Sequence, residues 1–96
     1  MEIIEKMKIP NRLGLHLRAA AELVKTSSQF KCRILIEKDH RKADGKSLLN
    51  ILTLAASYGS ELKITFEGED AWNAQKAITA LFLNKFGSEL TECTQS

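Results

Sequence analysis

The chain is poor in the residues that most often define a protein class: of 96 residues, one is proline, five are glycine, two are cysteine and 6% are aromatic. No stretch is rich enough in glycine, proline or serine to be a linker or a low-complexity tract, and no internal repeat is visible. One domain is expected. Cys32 and Cys93 are far apart, with neither CxxC spacing nor a His or carboxylate pattern around them, which argues against a metal site and a disulfide framework. They read as two free thiols, Cys32 in the core and Cys93 in a tail. Charge is not lopsided either. Lys+Arg 14 against Asp+Glu 12 leaves +2, too balanced to advertise nucleic acid as a partner. Finally, long apolar runs are missing: Met1 to Lys6 is charged from the start, unlike a signal peptide, and no later run reaches transmembrane length. A cytoplasmic location without membrane insertion is therefore expected.

What is present is an ordinary globular composition, 44% apolar and 27% charged. A core of this size has no room for a large cofactor beside a deep substrate cleft. No cofactor or metal is expected, and any chemistry belongs on the surface near element ends.

Alternation over residues 3–9, with Ile3, Met7 and Ile9 on one side and Lys6 and Lys8 on the other, predicts a strand; Glu5 breaks its inner face. Pro10 to Gly14 reads as a loop. From His16, the spacing of Leu17, Ala20, Ala21, Val24, Ser27 and Ser28 predicts a helix ending near Phe30. Cys32, Ile34 and Ile36 define a second strand, and Lys38-Asp39-His40 turns into a short third strand over 41–43. Ser47 is a plausible N-cap for a short helix carrying Leu48, Leu49, Ile51, Leu52 and Leu54. Leu62, Ile64 and Phe66 predict strand four, and Gly68-Glu69-Asp70 opens a last helix with Ala74, Ala77, Ile78, Leu81 and Phe82 inward. The result is an α+β, βαββαβα open-faced sandwich, a four-stranded antiparallel sheet with three helices on one face. The domain spans 1–86, followed by a polar tail over 87–96.

The strongest constellation is Leu13-Gly14-Leu15-His16-Leu17-Arg18, with an imidazole at the loop-to-helix junction and a guanidinium two residues later. A helix N-terminus offers amides that the helix does not use and the positive end of its dipole, an anion site. A neutral imidazole there can attack phosphorus, and Arg18 with those amides can neutralise the phosphate formed. Taken alone, the same residues also fit a plainer reading, a histidine capping a helix beside a solvated arginine.

The run from Asn11 to Ala21 resembles the phosphohistidine signature of the HPr family, whose motif Leu-Gly-Leu-His-x-Arg-Pro-Ala surrounds the phosphorylated histidine. Gly45-Lys46-Ser47-Leu48-Leu49 resembles the family's serine region, and Glu67-Gly68-Glu69-Asp70 its entry into the final helix; the resemblance covers about residues 3–86. It implies a phosphocarrier, not an enzyme, in which His16 accepts the phosphoryl group through Nδ1 and Arg18 steadies it. The implied partners are enzyme I and the EIIA domains of the sugar phosphotransferase system. It further implies regulatory phosphorylation of Ser47, with a serine kinase/phosphorylase and a transcriptional regulator as further partners; simple capping is the alternative role. One residue departs from the motif: Ala19 stands where the family has proline, which leaves the first turn less constrained.

Leu48, Leu49 and Leu52 exceed what a two-turn helix can bury, so an exposed edge there suits a docking surface. The resemblance places partner contacts on this helix and on the first, where Arg18 and Lys25 can meet acidic surfaces. A monomer is expected. Gly45-Lys46-Ser47 imitates the end of a P-loop, but the required earlier glycine falls at His40, a turn residue, so a nucleotide site is excluded. Trp72 reads as a partly packed aromatic. A regulatory binding protein acting through Ser47, and an interaction module without phosphotransfer, are the competing function classes; retention of His16 with Arg18 disfavours the second.

Overall fold

The computed structural model describes residues 1–87; Cys93 and the rest of the tail expected from the sequence lie outside the described residues. Four strands, β1 (Glu2–Lys8), β2 (Arg33–Lys38), β3 (Arg41–Asp44) and β4 (Glu61–Glu67), form one antiparallel sheet in the order β1-β4-β2-β3. Three α-helices, α1 (Leu17–Ser27), α2 (Leu48–Thr53) and α3 (Ala71–Leu83), complete the expected βαββαβα order, and a 3₁₀ turn follows at Lys85–Gly87.

Strict alternation makes the sheet one-sided. Leu62, Ile64 and Phe66 of the central strand β4 are wholly buried, as is Ile36 of β2, while Lys63 between them and Glu67 after them face water. Burying a side chain of this size contributes about 1.5–3 kcal/mol, so the β4 triplet anchors the core. Glu5, inward on edge strand β1, is accommodated because Gln75 of α3 donates Nε2–H to its Oε1 at 3.1 Å.

Helix α1 differs from its expected stripe. Its buried residues are Ala19, Ala20, Leu23 and Ser27, whereas Leu17, Ala21 and Ser28 are exposed and His16 is the cap outside the first turn. The small Ala19 and Ala20 set the inner face, and the bulkier Leu17 is left in solvent at 61% exposure. In α3 the inward set is Ala71, Ala74, Ile78 and Phe82, with Ala77 and Leu81 at its margin. Beyond α3, Lys85 and Phe86 both adopt left-handed backbone (φ 52° and 55°), which turns the buried Phe86 ring edge-on to Phe82 at 4.8 Å between centroids.

Asp70 precedes α3 but does not cap it. Its carboxylate instead accepts the backbone N–H groups of Lys31 and Cys32, both at 2.8 Å, fastening the start of α3 to the entry of β2. The Lys31 N–H above all, then that of Cys32 with its thiol, holds the Asp70 carboxyl below the usual range. Burial pushes the Cys32 thiol up and Asp70 adds to the rise, so this cysteine is an inert core residue rather than a nucleophile. Among the described residues no group of three or more His, Cys, Asp or Glu is arranged to hold a metal, and no helix is long and apolar enough to cross a membrane.

Candidate functional site

The loop between β1 and α1 is held at both ends by one neighbouring segment, the connection from α2 to β4. Ile9 donates its N–H to Ser60 (2.9 Å) and accepts from Gly59 (2.9 Å), while Leu15 donates to the Ala56 carbonyl at 2.8 Å. Between these anchors the chain makes its own turn: Gly14 N–H reaches the Asn11 carbonyl at 3.0 Å, and the Asn11 side-chain amide donates back to the Gly14 carbonyl at 2.5 Å. Asn11 is fully buried, and its Oδ1 has no partner among the described residues. Gly14 sits at φ +72°, where only glycine is unstrained. A Cβ there would lie 2.8 Å from the Ala56 carbonyl oxygen, so close approach as well as backbone angle requires glycine.

The constrained loop delivers His16 to the start of α1. At φ −74° and ψ 178° it is extended, and its carbonyl accepts the first helical hydrogen bond from Ala20 at 2.8 Å. The half-buried imidazole does not serve as the helix cap. His16 thus occupies the positive end of α1, before a first turn that contains no acidic residue and carries the exposed Arg18. A histidine nitrogen, helix-end amides and a guanidinium at one place suit transient covalent binding of a phosphoryl group. Lys25 lies on the same helix face as Arg18, two turns and about 10 Å further along.

Ser47 caps α2, with backbone φ −117° and ψ 112° and its Oγ accepting the Asn50 N–H at 3.3 Å. After it Leu49 is 75% exposed, whereas Leu48 and Leu52 are half-buried against the core. Exposed apolar groups that periodicity misplaced or passed over flank the histidine loop: Leu13 within it, Leu17 directly after His16, and Tyr58 in the turn that bonds Ile9. The anchoring roles of Asn11 and Ala56 were also missed; Asn11 is detectable only as an asparagine three residues before a turn glycine. His40 is exposed in the β2–β3 turn. Trp72 is half in solvent, with the Lys76 ammonium 5.2 Å from its ring centroid.

Comparison with known proteins is consistent throughout. The family model for the "PTS HPr component phosphorylation site" matches residues 3–84. A phosphocarrier protein HPr of Treponema pallidum is 37% identical over 87 residues, covering 91% of this chain and 99% of the relative; one from Xylella fastidiosa is 36% identical over 84 residues, covering 88% and 94%. Among solved structures, HPr of Thermoanaerobacter tengcongensis superposes with TM-score 0.85 at 40% identity, covering 88% of this chain and 96% of that one. HPr of Bacillus anthracis gives 0.80 at 34%, covering 84% and 96%. A dimer of the Thermoanaerobacter protein matches at 0.71 and 41% identity, covering 83% and 92%.

Proposed function

Because the chain belongs to the HPr family of phosphotransferase-system phosphocarriers, we propose that it takes a phosphoryl group from phosphorylated enzyme I onto Nδ1 of His16 and passes it to EIIA domains. The observation that carries this reading is the placement of His16 at the N-terminus of α1, outside the capping role, with Arg18 in the same turn. In the accepting step the Nδ1–P bond forms as the donor histidine's N–P bond breaks, and the donor imidazole leaves with the electron pair. Onward transfer reverses these roles with His16 as leaving group. Exchange of this kind requires only moderate stabilisation of the phosphate, and one guanidinium with helix amides supplies that without trapping the group.

The docking surface comprises Leu17 and Lys25 on α1 with Leu48, Leu49 and Leu52 on α2, apolar area beside cations, which fits acidic partners with an apolar centre. In this reading the carrier acts as a monomer, in the cytoplasm with enzyme I. The domain spans 1–86. The test mixes the protein with phosphoenolpyruvate and enzyme I, then adds EIIA domains: acid-labile phosphate should appear on this chain and then move. Failure to pass it to any EIIA would overturn the partner assignment.

A second role rests on Ser47. Its hydroxyl is half-buried at the start of α2, beside Leu48 and Leu49, and a phosphate there adds about two negative charges to the docking surface. A serine kinase/phosphorylase would then switch the carrier between acidic transfer partners and a transcriptional regulator. Incubation with ATP and extract of a strain encoding such a kinase should place acid-stable phosphate on Ser47, and an unlabelled Ser47 would remove this role.

A further inference from the structure

We propose that Lys38, at the tip of the β2–β3 hairpin, is a positioning residue for His16, acting through the C-terminal end of α2. Nothing in the local sequence connects them, yet the structure joins them through one continuous set of bonds. Lys38 and Arg41 are cross-strand partners on the hairpin's helix-facing side, where two cations side by side would ordinarily repel. Both are used on the same target. Arg41 Nη1–H donates to the Thr53 carbonyl at 2.8 Å, and Lys38 Nζ donates to the carbonyls of Leu54 and Ala55, each at 3.2 Å. The Thr53 and Leu54 carbonyls are terminal ones that α2 does not satisfy itself, at the negative end of its dipole, and that of Ala55 follows directly beyond the C-cap.

The next residue explains why the clamp matters. Ala55 follows the C-cap Leu54 with φ +50°, a left-handed conformation that this position usually reserves for glycine or asparagine. An alanine adopts it only when its surroundings hold it there, and Lys38 grips the carbonyls on both sides of that strained Cα. The kink aims the Ala56 carbonyl at the histidine loop, where it accepts the Leu15 N–H and lies against the Gly14 backbone. Leu15 directly precedes His16. Lys38 therefore holds Ala55, Ala55 directs Ala56, and Ala56 fixes the residue before the phosphoryl acceptor.

Without the ammonium, Ala55 relaxes toward right-handed backbone in part of the population, the Leu15–Ala56 bond opens, and His16 is correctly presented only in the remainder. A partner that binds only the competent form sees its apparent affinity fall in proportion to that fraction. The signature is a change in KM with kcat preserved.

The experiment compares the parent with Lys38→Met, which keeps the aliphatic stem, with Ala55→Gly, and with the double variant. Hydrogen exchange at the Leu15 amide, referred to the core amide of Ile64, reads the loop directly and does not depend on phosphotransfer. Lys38→Met should speed Leu15 exchange while Ile64 stays protected, and raise KM for phospho-enzyme I about fivefold with kcat within about twofold. Ala55→Gly in the same chain should restore both, because glycine adopts the left-handed backbone without a clamp. The KM arm rests on the proposed phosphocarrier role, and the exchange arm does not: an unlabelled parent would refute that role alone. Unchanged Leu15 exchange and KM in Lys38→Met, or no rescue by Ala55→Gly, would overturn the inference.

Discussion

Replacing Gly14 by alanine isolates the contact on which presentation of His16 depends. The left-handed backbone at φ +72° costs an L-residue about 1–2 kcal/mol. The new Cβ would also fall 2.8 Å from the Ala56 carbonyl oxygen and 3.0 Å from Ser57 Cα, both backbone atoms of a segment that Leu15 and Ile9 already bind. Overpacking of this kind adds about 1–3 kcal/mol, so Gly14→Ala should lose about 2–5 kcal/mol in total. That is a large share of the roughly 5–15 kcal/mol that holds a small domain together. Gly59→Ala supplies the control, since φ is +82° there and nothing lies within 4 Å of the added carbon; it should lose only the backbone part, about 1–2 kcal/mol. Urea unfolding monitored by circular dichroism measures both. Equal losses at the two sites, or a Gly14→Ala variant within about 0.5 kcal/mol of the parent, would refute the Ala56 contact as the support beneath the loop.

Asp70 supplies a pH dependence. Its carboxyl is held below the ordinary 3.8 by the Lys31 and Cys32 amides, so its stabilisation is complete above 3.8 and declines as pH falls through the lower folded value. Acid titration of unfolding should show that decline in the parent and a flatter profile in Asp70→Asn; parallel profiles would exclude the contact as its source. Ser47→Ala removes a long 3.3 Å cap and should cost about 0.5–1 kcal/mol in chemical denaturation while phosphorylation of His16 continues; a larger loss would show a structural role beyond the cap. Ala19→Pro restores the residue of the family motif at a first-turn site whose amide is not needed inside the helix. It should leave His16 phosphorylation intact, and complete loss of labelling in that variant would contradict the expected tolerance.

Local patterns made the fold legible. Alternation at Leu62, Ile64 and Phe66 identified the central strand, and Ser47 marked the start of α2. The same logic misjudged α1, because a hydropathy stripe favours Leu17 over Ala19, whereas close packing of the helix selects the smaller residue and leaves the leucine beside the histidine. Of the candidate site, His16 and Arg18 were legible from a motif that is contiguous in the chain. The supports beneath them were not. Asp70 reaches back 38 and 39 residues to its amides, and Lys38 reaches forward 16 and 17 to its carbonyls. Such bonds exist only once the sheet has brought the elements together, and a lysine at a strand end or an aspartate in a turn carries no local sign of them.

The central claim is that His16 is the acceptor, and site mapping tests it most directly. Parent and His16→Ala proteins are incubated with phosphoenolpyruvate and enzyme I, and acid-labile phosphate is located by mass spectrometry under neutral conditions. The account predicts one phosphate on His16 in the parent and none in the variant; equal labelling of the two, with the phosphate on any other residue, would contradict it.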